Sequence, residues 1–181
     1  NDTIKADDII ELFHSDKIIR CSATPKNYKN AILIDIPEED VIAEGLIKKL
    51  LIINENFEQH ISVDDQITYL LDKAIDKQRE LHSEYLNQKA EINPLIIVQP
   101  NAEPIAVIIK QAVATGWDCP RAQILVKLRD NMGEVFEIQT IGRIRRMPEA
   151  KHYGSDLLDS CYLYTLDEKF TESVKLSLGK G

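Results

Sequence analysis

Gln139, Gly142, Arg143 and Arg146 fall at fixed offsets within QTIGRIRR at 139–146, and Arg145 makes three arginines in four positions. Gathering them is costly, because like charges repel and every guanidinium needs acceptors or water. A planar fork of donors suits one task well, the two-point grip on phosphate oxygens. Arg143 and Arg146 lie three apart, so on a helix they share a face, while Arg145 points elsewhere. The bland alternative is a solvated basic helix end. TGWDCP at 115–120 precedes this stretch, and CSATP at 21–25 stands far upstream.

The residues around these motifs predict how they are held. LIIVQ at 95–99, IAVIIK at 105–110, ILVKLR at 124–129 and CYLYTL at 161–166 are apolar runs rich in β-branched residues. Strands buried on both faces of a parallel sheet read this way. Helical patterns lie between them, so the expected fold is α/β, an open and mainly parallel sheet flanked by helices. Ligands of such sheets bind outside the carboxyl ends of the strands, which is where TGWD and the loop toward QTIGRIRR are expected, with Gly116, Asp118, Arg143 and Arg146 on one edge, at the strand C-termini or on the adjoining helix. The clearest helix is 62–92, with Ser62 as cap and Ile67, Leu70, Leu71, Ala74, Ile75, Leu81 and Tyr85 at spacings of three and four. A short helix is expected at 6–16, a strand in KIIRCSAT from residue 17, a second strand in KNAILIDIP at 29–37, and a helix passing into a strand near Lys48. Only PNAEP separates LIIVQ from IAVIIK, too little for a parallel crossover, so a junction with missing residues is expected between Gln99 and Ile105.

Composition bounds the function less sharply. The chain has 181 residues, 44% hydrophobic and 29% charged, with a net charge of −8. That describes one good core, or a domain plus a fragment, and argues mildly against a chain wrapped in nucleic acid. Yet residues 110–153 carry eight Lys and Arg against five Asp and Glu, so positive charge collects where the motifs are. No apolar run reaches membrane-span length. Cys21, Cys119 and Cys161 are too few and too scattered for a disulfide framework or a zinc site, and no metal site is expected. A cytoplasmic setting follows. The opening NDTIK, without Met or signal peptide, is expected of a piece of something longer.

The order of the three motifs resembles superfamily 2 helicases. QTIGRIRR fits their motif VI, Q-x-x-G-R-x-x-R; KQAVATGWDCP resembles motif V; CSATP resembles motif III. GWDCPRAQILVKLRD followed by EIQTIGRIRRMPEAKHY is similar to the Res subunit of type III restriction endonucleases, as are IPEEDVIAEGLIKKLLI at 36–52 and CYLYTLDEKF at 161–170. The resemblance implies a RecA-like helicase C-terminal fold. It divides the chain into 1–36, the tail of a first RecA-like domain, 37–92, a linker and long helix, and 93–181, the second RecA-like domain.

The same resemblance implies roles. Arg143 and Arg146 would be arginine fingers reaching the γ-phosphate of ATP held with Mg²⁺ by the first RecA-like domain, with Gln139 helping to hold that phosphate or the attacking water. Gly142 would let the backbone turn closely. Asp118 would accept a hydrogen bond from the ribose, and Gly116 would free its loop. Lys110 and Gln111 would touch DNA phosphates, though Lys110 reads equally as a solvated strand end. Ser22, Ala23 and Thr24 would couple hydrolysis to movement, or form an ordinary strand-end turn. The implied whole is an ATP-dependent DNA translocase that cuts DNA beside a methyltransferase (Mod) subunit. Two other readings stay open: another superfamily 2 DNA or RNA helicase, and a non-catalytic nucleic-acid-binding module. No G-x-x-x-x-G-K-[ST] loop and no nuclease cluster is present, so the chain carries half of an ATPase site.

Overall fold

Four apolar runs pair side by side, all parallel. The structure, a computed structural model, describes residues 17–21, 30–57, 65–99, 118–128 and 134–178. Its strands are β1 (Leu50–Ile53), β2 (Leu95–Gln99), β3 (Ala122–Lys127) and β4 (Ser160–Thr165), in the order β1-β4-β3-β2. The helices are α1 (Glu38–Ala43), α2 (Gln66–Asn87), α3 (Glu134–Ile144) and α4 (Glu168–Leu178). This is the open α/β sheet with flanking helices that the sequence predicts.

Every residue of β3 and β4 is buried, because helices cover both faces. Side chains alternate between them. Ile124, Val126, Tyr162 and Tyr164 pack with Leu70, Ala74, Leu81 and Tyr85 of α2. Leu125, Cys161, Leu163 and Ile97 pack with Ile141 and Ile144 of α3 and Phe170 and Val174 of α4. Gln123 sits within this apolar sheet at no solvation cost, since its groups are satisfied. It accepts from the Tyr85 hydroxyl at 2.9 Å and donates to the carbonyls of Leu158 at 3.0 Å and Ser160 at 2.7 Å.

Helix α2 is shorter than its periodicity predicts. Gln66 is its first residue, and Ser62 lies outside the described residues. At its end Ala90 N–H donates to the Tyr85 carbonyl and Lys89 N–H to that of Leu86, with Lys89 at φ 58°. That left-handed pair of bonds stops the helix at Asn87, although the apolar spacing runs on.

Two compact units divide the chain, 1–33 and 34–181. In the first, residues 17–21 and 30–33 carry no regular element. The strand expected from residue 17 is absent over 17–21, and the one expected at 29–37 is absent over 30–37. Ile32, Leu33, Ile34 and Ile36 stand exposed over 30–37, so the apolar pattern finds no partner strand among the described residues. Residues 37–92, expected as a linker and long helix, contain that long helix and more. They supply the edge strand β1, which pairs with β4, and the helix α2 that covers one face of the sheet. The helix expected at 6–16, the strand at 105–110 and the junction expected between Gln99 and Ile105 fall outside the described residues, Gln99 itself ending β2.

Candidate functional site

Helix α3 buries one stripe and exposes another. Thr140, Ile141 and Ile144 are buried, as are Arg145 and Met147 just beyond the helix. Gln139, Gly142 and Arg146 are exposed, and Arg143 is half-buried. The four motif positions therefore share one solvent-facing side, as a helical i, i+3, i+4, i+7 spacing requires. The helix ends earlier than that face. Ile144 is its last residue, and Arg146 lies in a closing turn, where its N–H donates to the Arg143 carbonyl at 3.3 Å.

Gly142 does not serve the close turn expected of it. It sits inside the helix, and a Cβ built there would meet nothing within 4 Å. A mid-helix glycine costs about 1 kcal/mol against alanine. No neighbour in the described chain gives that cost a reason.

Arg143 lies on the helix adjoining the sheet, as expected, while Arg146 and Asp118 meet where the described strands begin rather than at their carboxyl ends. Arg146 forms an antiparallel bridge with Ile47, which precedes β1, and pairs with Asp118, which precedes β3. Lys49 N–H donates to Asp159, just before β4, at 2.8 Å. Because all strands run the same way, these residues mark the edge where strands begin. The reason is connectivity: α3 returns antiparallel to β3, so its last turn, with the arginines, comes back to the amino ends.

The three arginines have different surroundings. Arg145 is held by Glu38 through two contacts, Nη1 to Oε2 at 2.9 Å and Nη2 to Oε1 at 2.5 Å. This fork-to-fork pair raises the guanidinium's pKa and lowers that of the Glu38 carboxyl. Arg146 pairs with the Asp118 carboxylate, and both side chains are about half exposed. Arg143 has no carboxylate partner among the described residues. Partial burial, and then the adjacent Arg146 charge, push its pKa down.

The turn itself is clamped from below. Lys48 N–H donates to the Arg145 carbonyl at 2.6 Å, and the Lys48 ammonium donates to the Arg146 carbonyl. Met147 N–H donates to Leu46 at 3.0 Å, and His152 Nε2 meets the Ile47 carbonyl at 3.0 Å. Asp159 ties the neighbouring loop through the Tyr153 and Gly154 N–H groups at 2.8 and 3.2 Å and through Lys49 Nζ at 3.0 Å. Gly45 makes the approach of residues 44–49 feasible. It holds φ 70°, and a Cβ there would lie 2.9 Å from the Lys151 Cα. Gly45→Ala should lower stability by about 1–3 kcal/mol, read by urea denaturation, from left-handed strain plus the clash. An unchanged midpoint would show that the loop is not packed in this way.

Lys48 is fully buried, and desolvation lowers its ammonium to about 8, against the pull of Cys161 and Asp159. A lysine with a depressed pKa binds its proton less tightly folded than unfolded. Stability therefore rises as pH climbs past the folded value toward the unfolded one, by about 1 kcal/mol between pH 8 and 9. Above that, burial of Cys161, whose thiol is pushed up to about 12, acts in the opposite sense. Lys48→Met should abolish the rise in a pH series of denaturation midpoints. A flat wild-type profile would contradict the buried ammonium.

Of the expected site residues, the structure brings together Gln139, Gly142, Arg143, Arg146 and Asp118. Ser22, Ala23, Thr24, Lys110, Gln111 and Gly116 lie outside the described residues. Sequence reasoning missed Glu38 and Lys48. The acids opening α1 were visible as a helix start, but nothing local pointed to a partner 107 positions away. Among the described residues no cluster of His, Cys, Asp and Glu could hold a metal ion, and no helix is long and apolar enough to cross a membrane. No family model, curated protein or solved structure matches the chain.

Proposed function

We propose that this chain is the arginine-bearing half of an ATP-driven motor that moves on DNA, as in the Res subunit of type III restriction enzymes. One observation carries the reading. Arg143 is half-buried beside a second arginine, with no carboxylate partner among the described residues, whereas Arg145 in the same turn is held by Glu38 at both terminal nitrogens. An arginine kept for stability is paired as Arg145 is; one kept for an incoming anion is left open. The bare Gly142 backbone beside it leaves room for a partner surface to come close.

In this reading Arg143 and Arg146 meet the terminal phosphate of ATP, which a separate phosphate-loop domain holds with Mg²⁺. Gln139 orients the phosphate or water, and Asp118 and Gly116 face the ribose. Lys110 and Gln111 meet the DNA backbone, and Ser22, Ala23 and Thr24 couple the two motor domains. These last roles, and partnership with a methyltransferase subunit, rest on the motif resemblance. The test is calorimetric titration of this chain with inorganic tripolyphosphate. Binding should be lost in Arg143→Ala, and the chain alone should hydrolyse no ATP. Equal binding by the variant, or turnover by the chain alone, would overturn the reading.

A further inference from the structure

The turn after α3 carries two ion pairs of opposite construction. Arg145 is 9% exposed and gripped at both nitrogens by Glu38. Arg146 is 47% exposed and meets, through Nη1, the Oδ1 of an Asp118 that is 59% exposed. A bidentate pair with its guanidinium buried stays closed, but a single contact between two exposed groups exchanges readily with water and ions, because its net strength is small. Asp118 is also the one carboxylate placed against the candidate anion site among the described residues. An anion approaching Arg143 and Arg146 must compete with it.

We propose that Asp118 is a built-in rival for the anion, occupying Arg146 at rest and yielding only to a multiply charged phosphate group. The selection follows from charge. A singly charged anion gains little by replacing one carboxylate with itself. A polyphosphate engages Arg146 and the unpaired Arg143 together, relieving the repulsion between them, and so outcompetes Asp118. This rests on the reading of the arginine pair as a phosphate site, and it adds a regulator of that site. Toward the phosphate, whatever its contact with the ribose, Asp118 acts through Arg146 and is a positioning residue.

The experiment titrates wild type, Asp118→Asn, Arg146→Ala and the double variant with inorganic tripolyphosphate and with monophosphate. Asp118 is exposed, so its replacement leaves the fold intact. Asp118→Asn should tighten tripolyphosphate about two- to fivefold, the scale of an exposed pair. It should tighten monophosphate by a larger factor, narrowing the preference between them. In the Arg146→Ala background the same change should have far less effect. Unchanged or weaker binding by Asp118→Asn, or an equal effect in both backgrounds, would overturn the rival. If neither wild type nor Asp118→Asn binds tripolyphosphate, the anion site falls and the rival with it. If wild type binds through Arg143 and Asp118→Asn is indifferent, only the rival falls.

Discussion

Arg143→Ala, in an enzyme that joins this chain to a phosphate-loop domain, is expected to cut DNA-stimulated ATP turnover by about 10³-fold or more while ATP affinity changes far less. The asymmetry is the substance of the prediction. A guanidinium reaching a phosphate from across a cleft meets charge that grows as the bond breaks, so its loss falls on kcat rather than on KM. Arg143→Lys should not restore activity, since a point charge cannot replace the planar fork. Arg146→Ala should behave in the same direction. Lys110→Ala should differ in kind, with weaker DNA binding, a shallower salt dependence and turnover recovered at high DNA concentration. Steady-state kinetics with and without duplex DNA separate these outcomes. Near-wild-type turnover of Arg143→Ala would leave the non-catalytic binding module as the better reading.

Glu38→Ala is expected to destabilise the fold more than Arg145→Met does, by about 3 against about 1 kcal/mol. The two variants break the same pair, but they strand different charges. Without Glu38, the Arg145 guanidinium stays 9% exposed with no counterion, and its Nε already lacks a hydrogen-bond partner. Without Arg145, the carboxylate of Glu38 is 49% exposed and water can reach it. Methionine also keeps much of the apolar stem that the arginine packs. Denaturant midpoints of the two variants decide the matter. Equal losses, or a larger loss for Arg145→Met, would mean that the pair is as solvated as an ordinary surface contact. Because Glu38 holds the turn carrying Arg143 and Arg146, Glu38→Ala should also lower turnover. Some activity should survive, since Lys48 still grips the carbonyls of Arg145 and Arg146.

What the sequence made legible was whatever is written in local pattern. LIIVQ, ILVKLR and CYLYTL read as strands, and the strands observed, 95–99, 122–127 and 160–165, overlap them, because burial on both faces leaves little polar alternation to confuse the pattern. Of the residues that helical spacing marked in α2, Leu70, Ala74, Leu81 and Tyr85 are buried, whereas Ile67 and Ile75 stand exposed. The offset of three in QTIGRIRR was enough to place Arg143 and Arg146 on one side and to send Arg145 elsewhere. Pattern without context misled at 30–37, where ILIDI looks like a strand but stands exposed without a neighbour. Pairings were the hidden part. Asp118 and Arg146 are 28 positions apart, and Glu38 and Arg145 are 107 apart. Nothing in either segment names the other, and only the return of α3 to the starting edge of the sheet brings them together. The same return explains why Asp118 and Arg146 meet at the amino ends of the described strands rather than at their carboxyl ends.

The central claim is that Arg143 acts on phosphate charge that develops during reaction, and the most direct measurement compares two ligands of the assembled enzyme. ADP alone should bind wild type and Arg143→Ala with similar affinity. ADP with aluminium fluoride, which imitates the transferring phosphoryl group, should bind wild type on the order of 10²-fold or more tighter than it binds the variant. A variant that loses nothing with the analogue, or loses equally with ADP, would contradict the account.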